Sequence, residues 1–181
     1  KINTGIQCSL NAGGFTVNTN IDTRGQTAPF TMQVWFQDGG PPGGVNTMIA
    51  GEWDFSGGQQ NFALLYDPTG VANMFYSSND TTPTRNDLDT GQASVNGMWF
   101  HIIFGYDGTN KFIILNNGTK NTAAVAGVRR GVNVLGLGNN SAHTFPWPGT
   151  IDEIAYWSVD KSGSVATLYN GGSGLPFSSY S

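Results

Sequence analysis

Charge is scarce in this 181-residue chain. Only 11% of its residues are Asp, Glu, Lys or Arg, and the acids outnumber the bases 12 to 8. A formal charge of -4 and a pI near 4.8 leave no basic stripe to neutralise phosphates, so nucleic acid is not an expected partner. The pair Arg129-Arg130 is too small a cluster to change that. Cysteine occurs once, as Cys8, which excludes an internal disulfide and a Cys-based zinc site. In the alternating stretch GIQCSL it reads as a small buried hydrophobe. No run is long and apolar enough for a membrane span, and nothing resembles a signal peptide. The first residue is Lys1 rather than Met, as expected of a processed or excised segment.

What the chain has instead is glycine, 26 residues of it, and many Asn, Thr and Ser. Polarity without charge is typical of turn-rich β proteins, and 38% hydrophobic residues are too many for disorder. The length suits one domain, expected to span 1–181, with a substantial core. PFTMQVWFQ (29–37) alternates strictly, with Phe30, Met32, Val34 and Phe36 on one face, as a half-buried strand does. NFALLYD (61–67) and VANMFYS (71–77) flank Asp-Pro-Thr-Gly, and MWFHIIFGY (98–106) and KFIILN (111–116) flank Asp-Gly-Thr-Asn. Both pairs read as hairpins. Asn117-Gly118 supplies residues suited to the positive φ of a primed turn. GVNVLGLG (131–138) and GTIDEIAYWS (149–158) complete the strand series. Only SGSVATLYN (162–170) has helical spacing, through Val165, Leu168 and Tyr169, and it is expected as a short helix on a sheet edge. About ten short strands and almost no helix predict an all-β chain. Its expected form is a two-layer antiparallel β-sandwich of the jelly-roll kind, with one short C-terminal helix.

Three of these stretches together are familiar. PFTMQVWFQ resembles the first long core strand of laminin-G-like modules, within the concanavalin A-like lectin/glucanase jelly rolls. NGMWFHIIFGYDGTNKFIILNNGTK resembles their central hairpin. PGTIDEIAYWSVDKSGSVATLYNGGSG is similar to their closing signature, in which Gly-x-Ile-Asp-Glu-Ile leads into a short helix. The resemblance covers roughly residues 29–174 and implies the fold. It does not choose among lectins, adhesion modules, virion appendages and enzymes, all of which use this architecture. It implies that His101 lies inside a strand beside a polar neighbour. Asp107 is expected to cap its hairpin turn, and Asp152 is expected to be structural. Asp152 and Glu153, as neighbours on a strand, point to opposite faces and form no dyad unless a bulge intervenes.

The stretch GEWDFSGGQQ (51–60) tests the enzymatic option. Retaining glycosidases need two carboxyl groups about 5–5.5 Å apart. Jelly-roll glucanases provide them on alternate positions of one strand, as Glu-x-Asp followed by a second Glu. Glu52-Trp53-Asp54 begins that pattern, but Phe55, Ser56 and Gly57 follow and the second Glu is missing. A strand-to-loop junction is the better reading, and a glycoside hydrolase is the minor alternative. Polysaccharide lyases of this architecture use a His–Tyr pair with a Gln-x-His arrangement. His101 and His143 offer none, and no Ser/His/Asp set, phosphate loop or dinucleotide fingerprint is present.

Recognition is therefore the expected role, at loops or on a sheet face. A sugar site pairs an exposed aromatic ring with amides and carboxylates. Trp53 with Asp54, Gln59, Gln60 and Asn61 offers one such platform, and Phe145 and Trp147 between prolines offer another. The glycan-binding candidates are accordingly Trp53, Asp54, Gln60 and Trp147, with no catalytic residue. In SSNDTTPTRNDLDTG (77–91), Asp80, Asp87 and Asp89 are candidate Ca²⁺ ligands, although no EF-hand spacing organises them. Asn79, Asn117 and Asn139 head Asn-x-Ser/Thr triplets. The Asn-Gly-Gly exit of the closing helix resembles bacterial and bacteriophage versions, so glycosylation is not expected. The reading is a non-catalytic recognition or surface-display module, extracellular, on a cell surface or on a virion, and carbohydrate-binding. Its rival is a structural virion decoration or head-fibre domain that contacts other virion or surface proteins, including copies of itself.

Overall fold

A computed structural model describes residues 6–7, 15–17, 25–40, 46–53, 60–67, 74–79, 85–129, 134–140 and 144–175. The expectations placed on Cys8, Asp54, Gln59, Asp80, Arg130 and His143 fall outside them.

Among the described residues, β1 (Ile6–Gln7), β12 (Thr150–Trp157), β3 (Phe30–Gln37), β8 (Trp99–Tyr106), β9 (Asn110–Leu115) and β10 (Asn121–Ala124) form one sheet in that order. The second sheet runs β2 (Phe15–Val17), β11 (Leu135–Leu137), β4 (Thr47–Trp53), β5 (Gln60–Tyr66), β6 (Met74–Asn79) and β7 (Arg85–Asp89). All pairings are antiparallel. The all-β sandwich expected from the alternation is therefore the observed one. Both hairpins pair as read, with Tyr66 opposite Met74 and Tyr106 opposite Lys111.

The interior is built by one residue in two. Phe30, Met32, Val34 and Phe36 of β3 meet Phe100, Ile102, Phe104 and Tyr106 of β8 within the first sheet. Across the sandwich, Phe62, Leu64 and Tyr66 of β5 and Met74 and Tyr76 of β6 close the core. Phe62 lies 5.1 Å from Phe30 and 6.3 Å from Phe104, centroid to centroid, so the two layers interlock through rings.

The half-buried expectation for β3 is corrected, because its other face is buried too. Thr31 and Gln33 are 0% exposed and Trp35 is 2% exposed. The cover is the C-terminal segment. Its α-helix α1 (Val165–Tyr169), flanked by single 3-10 turns, lies over the open face of β8 and β9 rather than on a sheet edge. Leu168 packs there on Ile103, Phe112 and Ile114. Thr31 fastens the approach: its Oγ1 donates to Val159 O (2.9 Å) and accepts from Lys161 N (2.8 Å). Asn170 then ends α1 in the left-handed conformation (φ 46°), the region an Asn tolerates best after Gly.

The turns follow local chemistry. Asp107 Oδ1 accepts the backbone N–H groups of Thr109 and Asn110, as expected. Burial acts to raise the pKa of that carboxyl. It is outweighed by the Asn110 and Thr109 N–H groups and by Lys120, and the net shift is downward. The next turn departs from expectation: the positive φ falls on Asn116 (53°), one residue before Asn117-Gly118. Asn116 can be left-handed there because His101 holds it from both sides. His101 N donates to Asn116 Oδ1, and Asn116 N donates to His101 O. A bulge in β12 also turns Glu153 to φ 46°, so strict alternation fails at Asp152-Glu153. Asp152 Oδ1 accepts the Glu153 N–H at 2.9 Å, which is a structural role.

Candidate functional site

The paired-acid stretch resolves first. In β4, Glu52 stands opposite Phe62, which belongs to the inter-sheet core, while Trp53 turns to the other face. Glu52 is 0% exposed, and its Oε2 accepts from Asn61 Nδ2 at 3.1 Å. The same interior row continues from Phe62 to Ser78 on β6. There the buried Lys111 Nζ donates to Asn86 O at 2.5 Å and to Ser78 Oγ at 3.4 Å. Glu52 is thus part of a buried polar layer rather than of a solvent-facing trench.

The two tryptophans expected as platforms are corrected as well. Trp53 is 1% exposed, packed with Met48, Ala63, Leu65 and Phe145, with the Arg85 guanidinium 5.9 Å from its ring centre. Trp147 is 0% exposed and enters the main core edge-on to Phe36 (5.5 Å) and Tyr66 (5.1 Å). The reason is the large area an indole removes from water when a neighbouring apolar layer can receive it. Neither ring presents a face on which a sugar could stack. Gln60 opens β5 opposite Trp53, and its side chain lies outside the described residues. Asn61 is buried on Glu52.

The acidic strand β7 does not gather its carboxylates either. Asp87 accepts from Ser77 Oγ (2.6 Å) and pairs with Arg85, whose Nη2 lies 2.9 Å away. Asp89 Oδ1 accepts the Gly91 N–H at 2.6 Å. No group of three His, Cys, Asp or Glu side chains able to hold a metal ion exists among the described residues. His101 is 0% exposed between the rings of Trp35 (4.8 Å) and Tyr169 (5.8 Å). Contrary to the polar neighbour expected for it, both imidazole nitrogens are without a hydrogen-bond partner. Burial is the main cause lowering its pKa to about 4, offset in part by the backbone of Asn116 beside the ring.

What the structure does assemble is a cavity of about 240 Å³ that no motif announced. It opens where the edge strand of one sheet, β7, meets the edge strand of the other, β10. Thr90, Gly91 and Gln92 line one side, Gly118, Thr119 and Asn121 the other, and the core residue Leu115 reaches it from within. Its walls are held by short-range bonds. Thr90 Oγ1 donates to Gln92 O (2.9 Å) and accepts from Gln92 N (3.3 Å), and Gly118 N donates to Leu115 O (3.0 Å). Asn121 Nδ2 donates to Asp89 O (3.0 Å), tying β10 to β7 across the gap. That leaves the Gln92 amide, the Thr119 hydroxyl and Asn121 Oδ1 without partners among the described residues. None of the described lining side chains is ionisable. The facing residues come from turns and strand ends 25 or more positions apart, and only the pairing of edges reveals them as a set.

A family model described as the concanavalin A-like lectin/glucanases superfamily, of laminin-G type, matches residues 11–164. The chain belongs to this superfamily. Several solved structures share the jelly-roll sandwich. Domain 4 of AbnA, an extracellular arabinanase from Geobacillus stearothermophilus seen in complex with arabinotriose, is 18% identical with a TM-score of 0.64. The alignment covers 86% of this chain and 71% of that one. A heptameric SAP-like pentraxin from Limulus polyphemus is 10% identical (TM-score 0.62; 97% and 80% covered). The sialidase of Trypanosoma rangeli, in complex with the inhibitor DANA, is 14% identical (TM-score 0.62), with 91% of this chain covered but only 26% of the enzyme. At these identities the likeness concerns the fold. A sequence search of curated proteins gives no significant match. In this chain the indoles of Trp53 and Trp147 turn inward, Glu52 is sealed in the core, and a polar cavity opens at the strand edges.

Proposed function

We propose that the domain is a non-catalytic carbohydrate-recognition module of an extracellular, cell-surface or virion-associated protein. The observation that carries this reading is the β7–β10 cavity, mostly polar and without an ionisable side chain among its described lining residues. Amides and hydroxyls of both donor and acceptor character suit the alternating hydroxyls of a sugar. They supply no group to abstract or deliver a proton at a glycosidic bond. The burial of Glu52 supports the same conclusion, since a general acid or nucleophile must reach its substrate. The arabinotriose seen with domain 4 of AbnA adds the precedent that a domain of this fold meets an oligosaccharide. No helix among the described residues is long and apolar enough to cross a membrane.

The test is a glycan array followed by calorimetric titration of the hits, with reducing-sugar release measured in parallel. Binding without release is expected, and Glu52→Gln should leave the null hydrolysis result unchanged. Hydrolysis that Glu52→Gln abolishes overturns the non-catalytic reading. A second reading, a display domain that contacts protein, is favoured by one feature. Val95 and Met98, 58% and 56% exposed, crown the turn before β8. Self-association in sizing experiments that Met98→Ser reverses would support it.

A further inference from the structure

Resting on the carbohydrate-recognition reading, we infer that the β7–β10 cavity accepts a single terminal, uncharged sugar ring, held through its hydroxyls alone, without a metal ion and without aromatic stacking.

Size comes first. At about 240 Å³ the cavity falls below the roughly 300–1,000 Å³ of sites for drug-sized ligands, so it suits one ring rather than an internal stretch of polymer. Next is the chemistry of the walls. No aromatic residue is among the described residues that line the space, so the apolar face of the sugar finds no platform there, and affinity must come from polar contacts. The available groups are the Gln92 amide, which both donates and accepts, the Thr119 hydroxyl and Asn121 Oδ1. Their turns are already fixed by Thr90, Asp89 and Leu115, so little ordering cost remains at binding.

Charge then narrows the sugar. The exposed carboxylates of β7, Asp87 and Asp89, stand directly before the Thr90–Gln92 wall. Lys120, the cation on the facing segment, is already paired with Asp107 at 2.9 Å and rests over the Phe112 ring on the other side of its sheet. An anionic sugar would therefore meet acids and find no free base among the described residues beside the cavity, which sets this cavity apart from a sialic acid or uronate site. The same inventory disfavours a metal-bridged mode, because none of the described lining side chains is a carboxylate and Asp89, next to them in sequence, is engaged by Gly91 N.

The experiment titrates the whole domain with arabinotriose, lactose and 3′-sialyllactose, with and without EDTA. Wild type is compared with Gln92→Ala and Thr119→Ala, two exposed positions whose side chains hold no bond of the fold. The expected result is binding of a neutral sugar that EDTA does not alter. Each substitution should weaken it about tenfold, the equivalent of one hydrogen bond between neutral groups, and 3′-sialyllactose should bind no better than lactose. Neutral-sugar binding that both variants retain would move the site elsewhere and overturn the inference while leaving the recognition function intact. Loss of binding in EDTA, or tighter binding of the sialylated sugar, would overturn it in the same selective way. Absence of binding to every glycan of an array would remove the recognition reading itself, and this inference with it.

Discussion

Acid should loosen this protein in part through His101. Its ring is enclosed by Trp35 below and Tyr169 above, with no hydrogen-bond partner for either nitrogen. A protonated imidazole there would be a buried cation without a counter-charge, and burial accordingly lowers the pKa from 6.5 to about 4. Between those two values the unfolded chain binds the proton and the folded one does not. Stability therefore rises with pH through this window, and it is lost progressively as pH falls from 6.5 towards 4. At 1.36 kcal/mol per unit, the full loss is about 3 kcal/mol below pH 4 and about 2 kcal/mol at pH 5. The perturbation is His101→Leu, an apolar side chain of similar bulk that cannot titrate. Urea unfolding, followed by tryptophan fluorescence at pH 7.5 and pH 5, is the assay. Carboxylates contribute to both proteins, so the quantity of interest is the stability of the variant minus that of wild type. It should move by about 2 kcal/mol in favour of the variant on acidification. A difference that stays constant across that range would refute the reasoning, because it would mean that the folded imidazole titrates as it does in water.

Other outcomes follow from burial. Trp147→Ala should cost about 3–5 kcal/mol, as for other large core truncations, and should lower sugar binding only in proportion to the unfolded fraction. Leu168→Ala, which uncovers Ile103, Phe112 and Ile114, is expected to cost about 2–5 kcal/mol, read from the same urea curves. Asp87→Asn breaks an ion pair with Arg85 whose two side chains are 45% and 38% exposed, so its effect on the melting midpoint should be near zero and should shrink further in salt.

The core was readable from sequence because period-2 alternation and Asx turns are local signals. Phe30 to Phe36 and the Asp107 turn needed no knowledge of the rest of the chain. The second burial of each sheet was not readable in the same way. Whether Trp35 or Trp53 meets water depends on whether a distant segment returns to cover it, and alternation is silent on that. Trp147, flanked by prolines, looked like a presented ring for the same reason. Its destination, between Phe36 and Tyr66, is a property of two strands far from it in sequence. The cavity was the least legible feature. Thr90, Gln92, Thr119 and Asn121 carry no spacing rule, and only the meeting of two sheet edges makes them neighbours. The bulge at Glu153 shows the converse, a departure from alternation within a stretch whose sequence pattern was itself informative.

The connection after β11 has a consequence for how the protein is made. Asn139 is 2% exposed, and its side-chain oxygen accepts the backbone N–H groups of Asn140 and Phe145 at 2.9 Å each. It is also the first residue of an Asn-Asn-Ser acceptor triplet. In a eukaryotic secretory pathway, an oligosaccharide attached to its side-chain nitrogen during synthesis would keep that oxygen but would need open space beside a side chain the fold leaves 2% exposed. Asn139 could then not be buried with its bonds to Asn140 and Phe145, and the polypeptide would be retained as a misfolded species. Bacterial expression, or an Asn139→Asp replacement that keeps the acceptor oxygen, avoids that failure.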